Sequence, residues 1–382
     1  MLIELDDDPR YRRVTFRWSP QPGARVPKEV VLRLGTMTDR AFAEGKLASF
    51  LFEREGDGWS KTMRLRSDLR CVYRFFLDFE DELRAGQPSQ DDWYGRLSTQ
   101  CTVVDPLNPL TFPPIGGDEG LPRESLLELP DAPPQPWWRP RDSTSRGTVT
   151  RYELTSPILG NTRRVWIYRP AGHDVVDDRV ALVVMLDGDC WIDIDLQVTL
   201  DNLIAEGRIP PTVAVMVDSM DQTTRMRELT GDGHATFLRF LLEELLPWVR
   251  ERERFTDDPA RTVIAGQSMG GLTATYVGLH APHRFGSVLT QSGSFWWPRG
   301  SEFDVDGRAL IREFAAAPAV PVRFYQEVGL LEWLLLDVNR HMRDVLRAKG
   351  YDVNYREYHG GHDWACWRGG IADGLIALLG SR

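Results

Sequence analysis

The chain has 382 residues, with 46 Lys and Arg against 56 Asp and Glu, so its formal net charge is −10. A surface of that sign opposes binding to a phosphate backbone, which needs net positive charge to release counterions, and nucleic acid is excluded as a partner. Hydrophobic residues at 42 % and charged residues at 27 % are ordinary globular proportions, which rule out a disordered or fibrous chain and suit one or two buried cores.

From residue 12 to about 104 the sequence runs in short alternating apolar segments, Arg13 to Trp18, Val30 to Leu34 and Cys71 to Leu77. Turn signals at Pro20 to Gly23 and Gly56 to Gly58 separate them, which predicts a small antiparallel β-sandwich of immunoglobulin-like type. Ten prolines between Pro106 and Pro140 then predict a linker, because proline offers no N–H to a helix or a central strand. These signals divide the chain into an all-β domain with its linker, residues 1–135, and a second domain, residues 136–382.

In the second domain Val149 to Leu154 and Arg163 to Tyr168 predict a strand pair. The run Val180 to Leu186 is apolar on both faces, as a central parallel strand must be. Val213 to Val217, Thr262 to Ala265, Ser287 to Thr290, Val322 to Tyr325 and Val353 to Tyr358 read as further strands. The 3.6-residue period is clearest from Ala235 to Arg252, where Phe237, Phe240, Leu241, Leu245 and Trp248 share a face. Alternating strands and helices predict a doubly wound, mostly parallel α/β sheet. The longest apolar run is far below the ~20 residues a membrane span needs. The acidic start Met1 to Asp8 lacks the basic region of a secretory signal, and Cys71, Cys101, Cys190 and Cys366 lie too far apart for CxxC pairing or zinc spacing. A cytoplasmic protein with reduced thiols is the expectation.

The strongest local signal is Gly266-Gln267-Ser268-Met269-Gly270, a G-x-S-x-G between a strand ending at Ala265 and a helix beginning near Gly271. In that context the glycines relieve crowding at a sharp turn and expose the serine hydroxyl as a nucleophile. A serine nucleophile needs a base and an acid that orients it, which in an α/β-hydrolase follow in the order Ser, acid, His. His362, in His359-Gly360-Gly361-His362-Asp363-Trp364 after the last strand, is the preferred base because two glycines precede it; His359 is the alternative. His341 falls in the helical segment Leu334 to Lys349 and reads as solvated. For the acid, Glu332 in the loop after Gly329 is placed best, with Asp337 second and Glu327 third. The Met269 N–H and an N–H of Gly188 or Asp189, in the loop after the Val180 to Leu186 strand, are the expected oxyanion-hole donors.

Four stretches carry a family resemblance: Leu186 to Trp191, Ala265 to Leu272, Asn339-Arg340, and Gly360-Gly361-His362-Asp363-Trp364-Ala365-Cys366-Trp367-Arg368, the last being the most specific. With Asp105-Pro106-Leu107-Asn108-Pro109 upstream, the chain resembles the enterochelin (enterobactin) esterases over most of its length. That resemblance implies an α/β-hydrolase cleaving the esters of a ferric or iron-free catecholate trilactone siderophore. It carries over a serine–histidine–acid set to Ser268, His362 and, by its place after Gly329, Glu332. An anionic, aromatic substrate makes Arg225 and Arg227, read as a loop, candidate cationic contacts, and Trp296, Trp297 and Trp364 candidate stacking partners. The chain has no dinucleotide, Walker or paired-histidine metal motif, so no cofactor or metal is expected. The sandwich contains no histidine and is expected to shape the substrate site. Two other readings remain open at this level: a feruloyl or acetyl carbohydrate esterase with a glycan-binding sandwich, and a non-catalytic siderophore-binding protein.

Overall fold

Alternation along Tyr11–Trp18 sends Val14, Phe16 and Trp18 into an apolar core, and the strand pairs through Thr15 with Thr62, whose hydroxyls meet at 2.8 Å. The computed structural model to which these elements belong describes residues 1–78, 102–116, 122–172, 180–298 and 308–380. The chain folds into two compact units. The first comprises Met1–Pro134 together with two short later segments, Gly329–Trp333 and His359–Cys366; the second comprises Gln135–Val328, Leu334–Tyr358 and Trp367–Arg382. Both segments that leave the expected 136–382 domain carry residues named above as candidate acid or base.

The first unit holds two sheets. Leu2–Leu5 (β1), Tyr11–Trp18 (β2), Gly58–Arg66 (β5) and Glu53–Glu55 (β4) form one, in that spatial order. Val30–Arg33 (β3), Arg70–Leu77 (β6), Glu124–Glu128 (β9) and Thr111–Phe112 (β8) form the other, again in that order, with Thr102–Val103 (β7) also paired to β6. Phe16 meets Tyr73 edge to face at 5.0 Å and Phe52 meets Phe75 at 5.2 Å. The buried Tyr73 hydroxyl donates to Asp105 Oδ2 at 2.7 Å and accepts from Asn108 Nδ2 at 3.0 Å, which gives the Asp105 to Pro109 signature its structural reason.

Two expectations are corrected here. The unit is not all β, since Gly35–Ala43 forms a helix; its first turn is fixed by Thr38, whose hydroxyl donates to Leu32 O and accepts the Leu34 N–H. The proline-rich stretch is not purely a linker either. Glu124–Glu128 is an interior strand between β6 and β8, because Pro122 and Pro130 lie outside it and leave its N–H groups free to pair.

The second unit is built on eight strands, β10 to β17, which in chain order are Thr148–Ser156, Asn161–Arg169, Ala181–Met185, Thr212–Val217, Thr262–Gln267, Ser287–Gln291, Arg323–Gly329 and Asp352–Tyr358. They form one sheet of order β10-β11-β13-β12-β14-β15-β16-β17. The β10–β11 and β11–β13 pairs are antiparallel, while β12–β13, β12–β14, β14–β15 and β15–β16 are parallel. Every residue of β12, β13, β14 and β15 is buried, and Ala181–Met185 accordingly reads as an unbroken apolar run. Chain order reverses about β12, so the C-terminal ends of β12 and β14 flank the crevice in which such sheets bind ligands. The helical run expected from Ala235 to Arg252 forms Gly233–Arg239 and Leu246–Arg250 with a π-turn, Phe240–Leu245, between them; Pro247 cannot donate to the carbonyl four residues back.

Candidate active site

Strand β14 ends at Gln267 and the helix Met269–His280 begins two residues later, so one residue, Ser268, makes the whole turn. Its backbone lies at φ 56°, ψ −119°, a conformation L-residues rarely adopt. The flanking glycines are required by proximity: a Cβ on Gly266 would sit 2.3 Å from the Gly270 carbonyl carbon. Hydrogen bonds hold the strained residue on both sides. Its N–H donates to Gln291 O at 3.0 Å, and its carbonyl accepts the Leu272 and Ser294 N–H groups at 3.1 and 3.0 Å. The Ser268 and Ser294 hydroxyls are 3.2 Å apart. Nothing in the sequence marks Ser294 beyond its place after a strand end.

Met269 is the first residue of its helix, so its N–H lacks an intrahelical acceptor. After β12, Asp187 adopts a left-handed conformation and leads directly into a helix, Gly188–Asp193, where a loop was expected. Gly188 has no room for a side chain, since its Cβ would lie 2.4 Å from Met216 C. The Asp189 carboxylate is occupied by the Ser219 N–H and hydroxyl at 3.1 and 2.9 Å, and burial pushes its pKa up.

Arg225 corrects an expectation. It stands in a helix, Gln222–Glu228, rather than a loop, and its guanidinium forms a two-pronged pair with Asp187, 2.6 and 2.8 Å, with a third bond to Gln267 O at 3.3 Å. These bonds make it a clamp between the Gly188 turn and the strand below Ser268. A cavity beside the clamp, lined by Arg163, Asp187, Asp218, Ser219 and Glu228, has room for about one water, ≈ 10 Å³. Arg227, by contrast, is an exposed arginine 3.8 Å from Glu228. Trp296 and Trp297 meet edge to face at 5.6 Å and pack, half-buried, against the core of the second unit; Trp364 opens the helix Trp364–Leu379 and is half-buried.

The first unit brings the expected base and acid together. His362 Nδ1 lies 2.6 Å from Glu332 Oε2, and Glu332 Oε1 accepts the Gly329 N–H at 2.7 Å. Because a carboxylate only accepts, a neutral imidazole here carries its proton on Nδ1 and keeps the Nε2 lone pair available. Glu332 is 1 % exposed, so the acid's end of this hydrogen bond is shielded while the imidazole reaches solvent. The alternatives sit elsewhere. Asp337 is exposed in the first turn of Leu336–Ala348. His359 Nδ1 is buried with no hydrogen-bond partner among the described residues, and burial lowers its pKa.

Glu327 belongs to a buried polar row under the serine. Trp191 Nε1 donates to Gln267 Oε1, Gln267 Nε2 to Gln291 Oε1, and Gln291 Nε2 to Glu327 Oε1, at 3.2, 3.2 and 2.6 Å. The Tyr325 hydroxyl completes it on Glu327 Oε2 at 2.8 Å. Burial pushes the Glu327 carboxyl up to about 7 against those two hydrogen bonds, which favour its charged form.

Among the described residues no group of His, Cys, Asp and Glu could hold a metal, and no helix is long and apolar enough to cross a membrane. Cys71 and Cys366 are buried and Cys190 is half-buried; Cys101 lies outside the described residues.

A mostly parallel sheet with a serine on a strained strand-to-helix elbow, together with a histidine paired to a buried glutamate, defines a carboxylic ester hydrolase of the α/β-hydrolase type. Residues 156–378 match the family described as putative esterase, and residues 13–138 match the enterochelin esterase N-terminal family. The chain belongs to the enterochelin esterase family. It is 34% identical to an iron(III) enterobactin esterase of Dickeya dadantii, over 99% of this chain and 90% of that one. It is 32% identical to an iron(III) salmochelin esterase of Escherichia coli, over 97% and 88%. The crystal structure of an enterobactin esterase from Shigella flexneri, determined in the presence of enterobactin, superposes with a TM-score of 0.82 at 31% identity, covering 99% of this chain and 95% of that one.

Proposed function

We propose that this chain hydrolyses the ester bonds of a catecholate trilactone siderophore of the enterobactin type, ferric or iron-free, in the cytoplasm, with Ser268 as nucleophile, His362 as general base and acid, and Glu332 as the group that orients His362. The observation that carries the substrate is the end-to-end likeness, through both units, to esterases named for enterobactin and salmochelin.

In this mechanism His362 Nε2 takes the Ser268 Oγ proton as Oγ bonds to the ester carbonyl carbon. Glu332, hydrogen-bonded at Nδ1, stabilises the resulting imidazolium. The carbonyl oxygen becomes an oxyanion, received by the Met269 N–H and an N–H of Gly188 or Asp189. Collapse breaks the bond to the substrate's seryl oxygen, which takes the proton from His362. Water, deprotonated by His362, then releases the acid and restores Ser268. Each cleavage opens the preorganised chelator, so iron that arrives with the substrate is held less tightly.

The test is chromatography of products from ferric and iron-free trilactone. The parent should give linear and smaller catechoyl-serine esters, while Ser268→Ala should lose about 10⁴-fold or more in kcat and still bind substrate. Untouched trilactone alongside turnover of feruloyl or acetyl sugars would replace the substrate, and full hydrolysis by Ser268→Ala would replace the nucleophile.

A further inference from the structure

The segments carrying Glu332 and His362 belong to the same compact unit as the N-terminal sheets. Three bonds tie them in, and a fourth joins them to each other. The His362 N–H donates to Thr36 Oγ1 at 2.9 Å, and the Val72 N–H donates to Asp363 Oδ2 at 2.7 Å. The Cys366 thiol donates to Arg70 O at 3.3 Å, and the Leu331 N–H donates to Gly360 O at 3.0 Å. The last links the acid's loop to the base's loop. Asp363 also caps the following helix, accepting the Ala365 N–H through Oδ1 at 2.8 Å, so its carboxylate joins the loop to β6 and to the helix at once.

Thr36 is the most intimate of these ties. It bonds the backbone of the residue that carries the imidazole, and nothing intervenes: a Cβ on Gly361 would lie 1.9 Å from Thr36 Oγ1. This is a second reason for a glycine ahead of His362, beyond loop flexibility. Threonine is stiff about χ1, so its hydroxyl is held by the Gly35–Ala43 helix, whose start is in turn fixed by the buried Thr38. The imidazole is therefore located from two sides: by Glu332 through its ring, and by Thr36 through its backbone.

We propose that Thr36 is a positioning residue for the catalytic base, and that the N-terminal unit's contribution to catalysis is to hold the His362–Glu332 pair in register, in addition to any part in shaping the substrate site. The inference rests on the reading of His362 as the base. General-base catalysis tolerates little displacement, a misplacement near 1 Å costing on the order of 100-fold. Loss of one of several anchors should cost less than that, and should appear in turnover and not in binding.

The experiment compares full-length Thr36→Val and Thr36→Ala, which lack the acceptor, with Thr36→Ser, which keeps it, and with His362→Ala. Steady-state kinetics on iron-free trilactone and on p-nitrophenyl acetate are combined with the rate at which a fluorophosphonate labels Ser268, and with circular dichroism to verify folding. The expected result is a fall in kcat and in labelling rate of about tenfold for Thr36→Val and Thr36→Ala on both substrates, with KM within about twofold and with Thr36→Ser close to the parent. If Thr36→Val and Thr36→Ala keep parental kcat while His362→Ala is inactive, the positioning role is wrong and the base assignment stands. If Thr36→Ser falls as far as Thr36→Val, the hydroxyl acceptor is not what matters and the inference fails. Full activity in His362→Ala would overturn the base assignment and the inference together.

Discussion

Replacing Arg225 by Met distinguishes an internal clamp from a substrate contact. Asp187 is 3 % exposed and its carboxylate takes two charge-assisted hydrogen bonds from Arg225, at 2.6 and 2.8 Å. Met fills much of the volume of the arginine stem but leaves that carboxylate buried beside Gly270, whose Cβ position is 3.1 Å from Asp187 Oδ2. Breaking a buried pair by removing one partner costs about 3–5 kcal/mol, most of it the penalty on the charge left behind. With a urea slope of about 3 kcal/mol/M, the unfolding midpoint should fall by about 1 M or more. Adding Asp187→Asn should recover a large part of that loss. It removes the orphaned charge, and asparagine tolerates the left-handed φ of 55° found there. Because the clamp joins the Gly188 turn to Gln267, the single variant should also lower kcat more than it raises KM. A raised KM for the trilactone with an unchanged urea midpoint would refute this and return Arg225 to the role of a ligand-facing cation.

Glu332→Gln should lower kcat by about 10²–10⁴-fold by disturbing the imidazole tautomer, whereas Asp337→Asn should stay within about twofold in the same p-nitrophenyl ester assay; the reverse order would move the acid to Asp337. Gly266→Ala should yield little folded protein or a strongly lowered thermal midpoint, since its Cβ would lie 2.3 Å from Gly270 backbone atoms; a parental midpoint would show that the elbow can open to admit a methyl group. The Glu327 carboxyl, raised from 4.5 to about 7, favours the fold in its protonated form, so that contribution is present below about pH 4.5 and is lost as pH rises through about 7. It amounts to about 3 kcal/mol, and Glu327→Gln should flatten the parent's fall in urea midpoint between pH 5 and 7.5 by a corresponding amount; identical slopes in parent and variant would contradict it.

What was legible in the sequence was what one element decides by itself. Alternation at Val14, Phe16 and Trp18, unbroken burial in Val180 to Leu186, and a serine between glycines at a strand end are each local consequences of strand geometry. What was not legible depended on distant partners. The Gly35–Ala43 helix has three polar residues in its first five and too short a period to stand out. The strand Glu124–Glu128 is only five residues long and hidden among prolines that turn out to flank it. Glu332 and Asp337 are both carboxylates in one loop-and-helix stretch, and only the fold turns one of them onto His362 at 2.6 Å. Thr36 lies 326 positions from His362, and nothing local marks a threonine in a short helix as the acceptor for the loop that carries His362. Arg225 was visible as a cation near the sheet edge, but its charge partner, 38 positions earlier, was not.

The buried row under Ser268 raises the question of why the sheet carries Gln267, Gln291 and Glu327 in register on three neighbouring strands. Apolar side chains would avoid the cost of desolvating three polar groups. The row is acceptable because its amides are paired in sequence, each donor meeting the next acceptor, from Trp191 to Glu327. The backbone of the same strands performs a second task. Gln291 O accepts the Ser268 N–H at 3.0 Å, and Glu327 O accepts the Ser292 N–H at 2.8 Å, so successive strand ends hold the turns that follow them. A non-glycine residue at positive φ costs on the order of 1–3 kcal/mol and persists only where its surroundings over-determine it. Rotating any one of these strand ends to relax Ser268 would break hydrogen bonds in a low-dielectric interior, where an unpaired amide costs about as much as the strain itself. The strained elbow is therefore over-determined by backbone bonds from two neighbouring strand ends, and the side-chain row beneath adds directional bonds that resist a shift of one strand past the next.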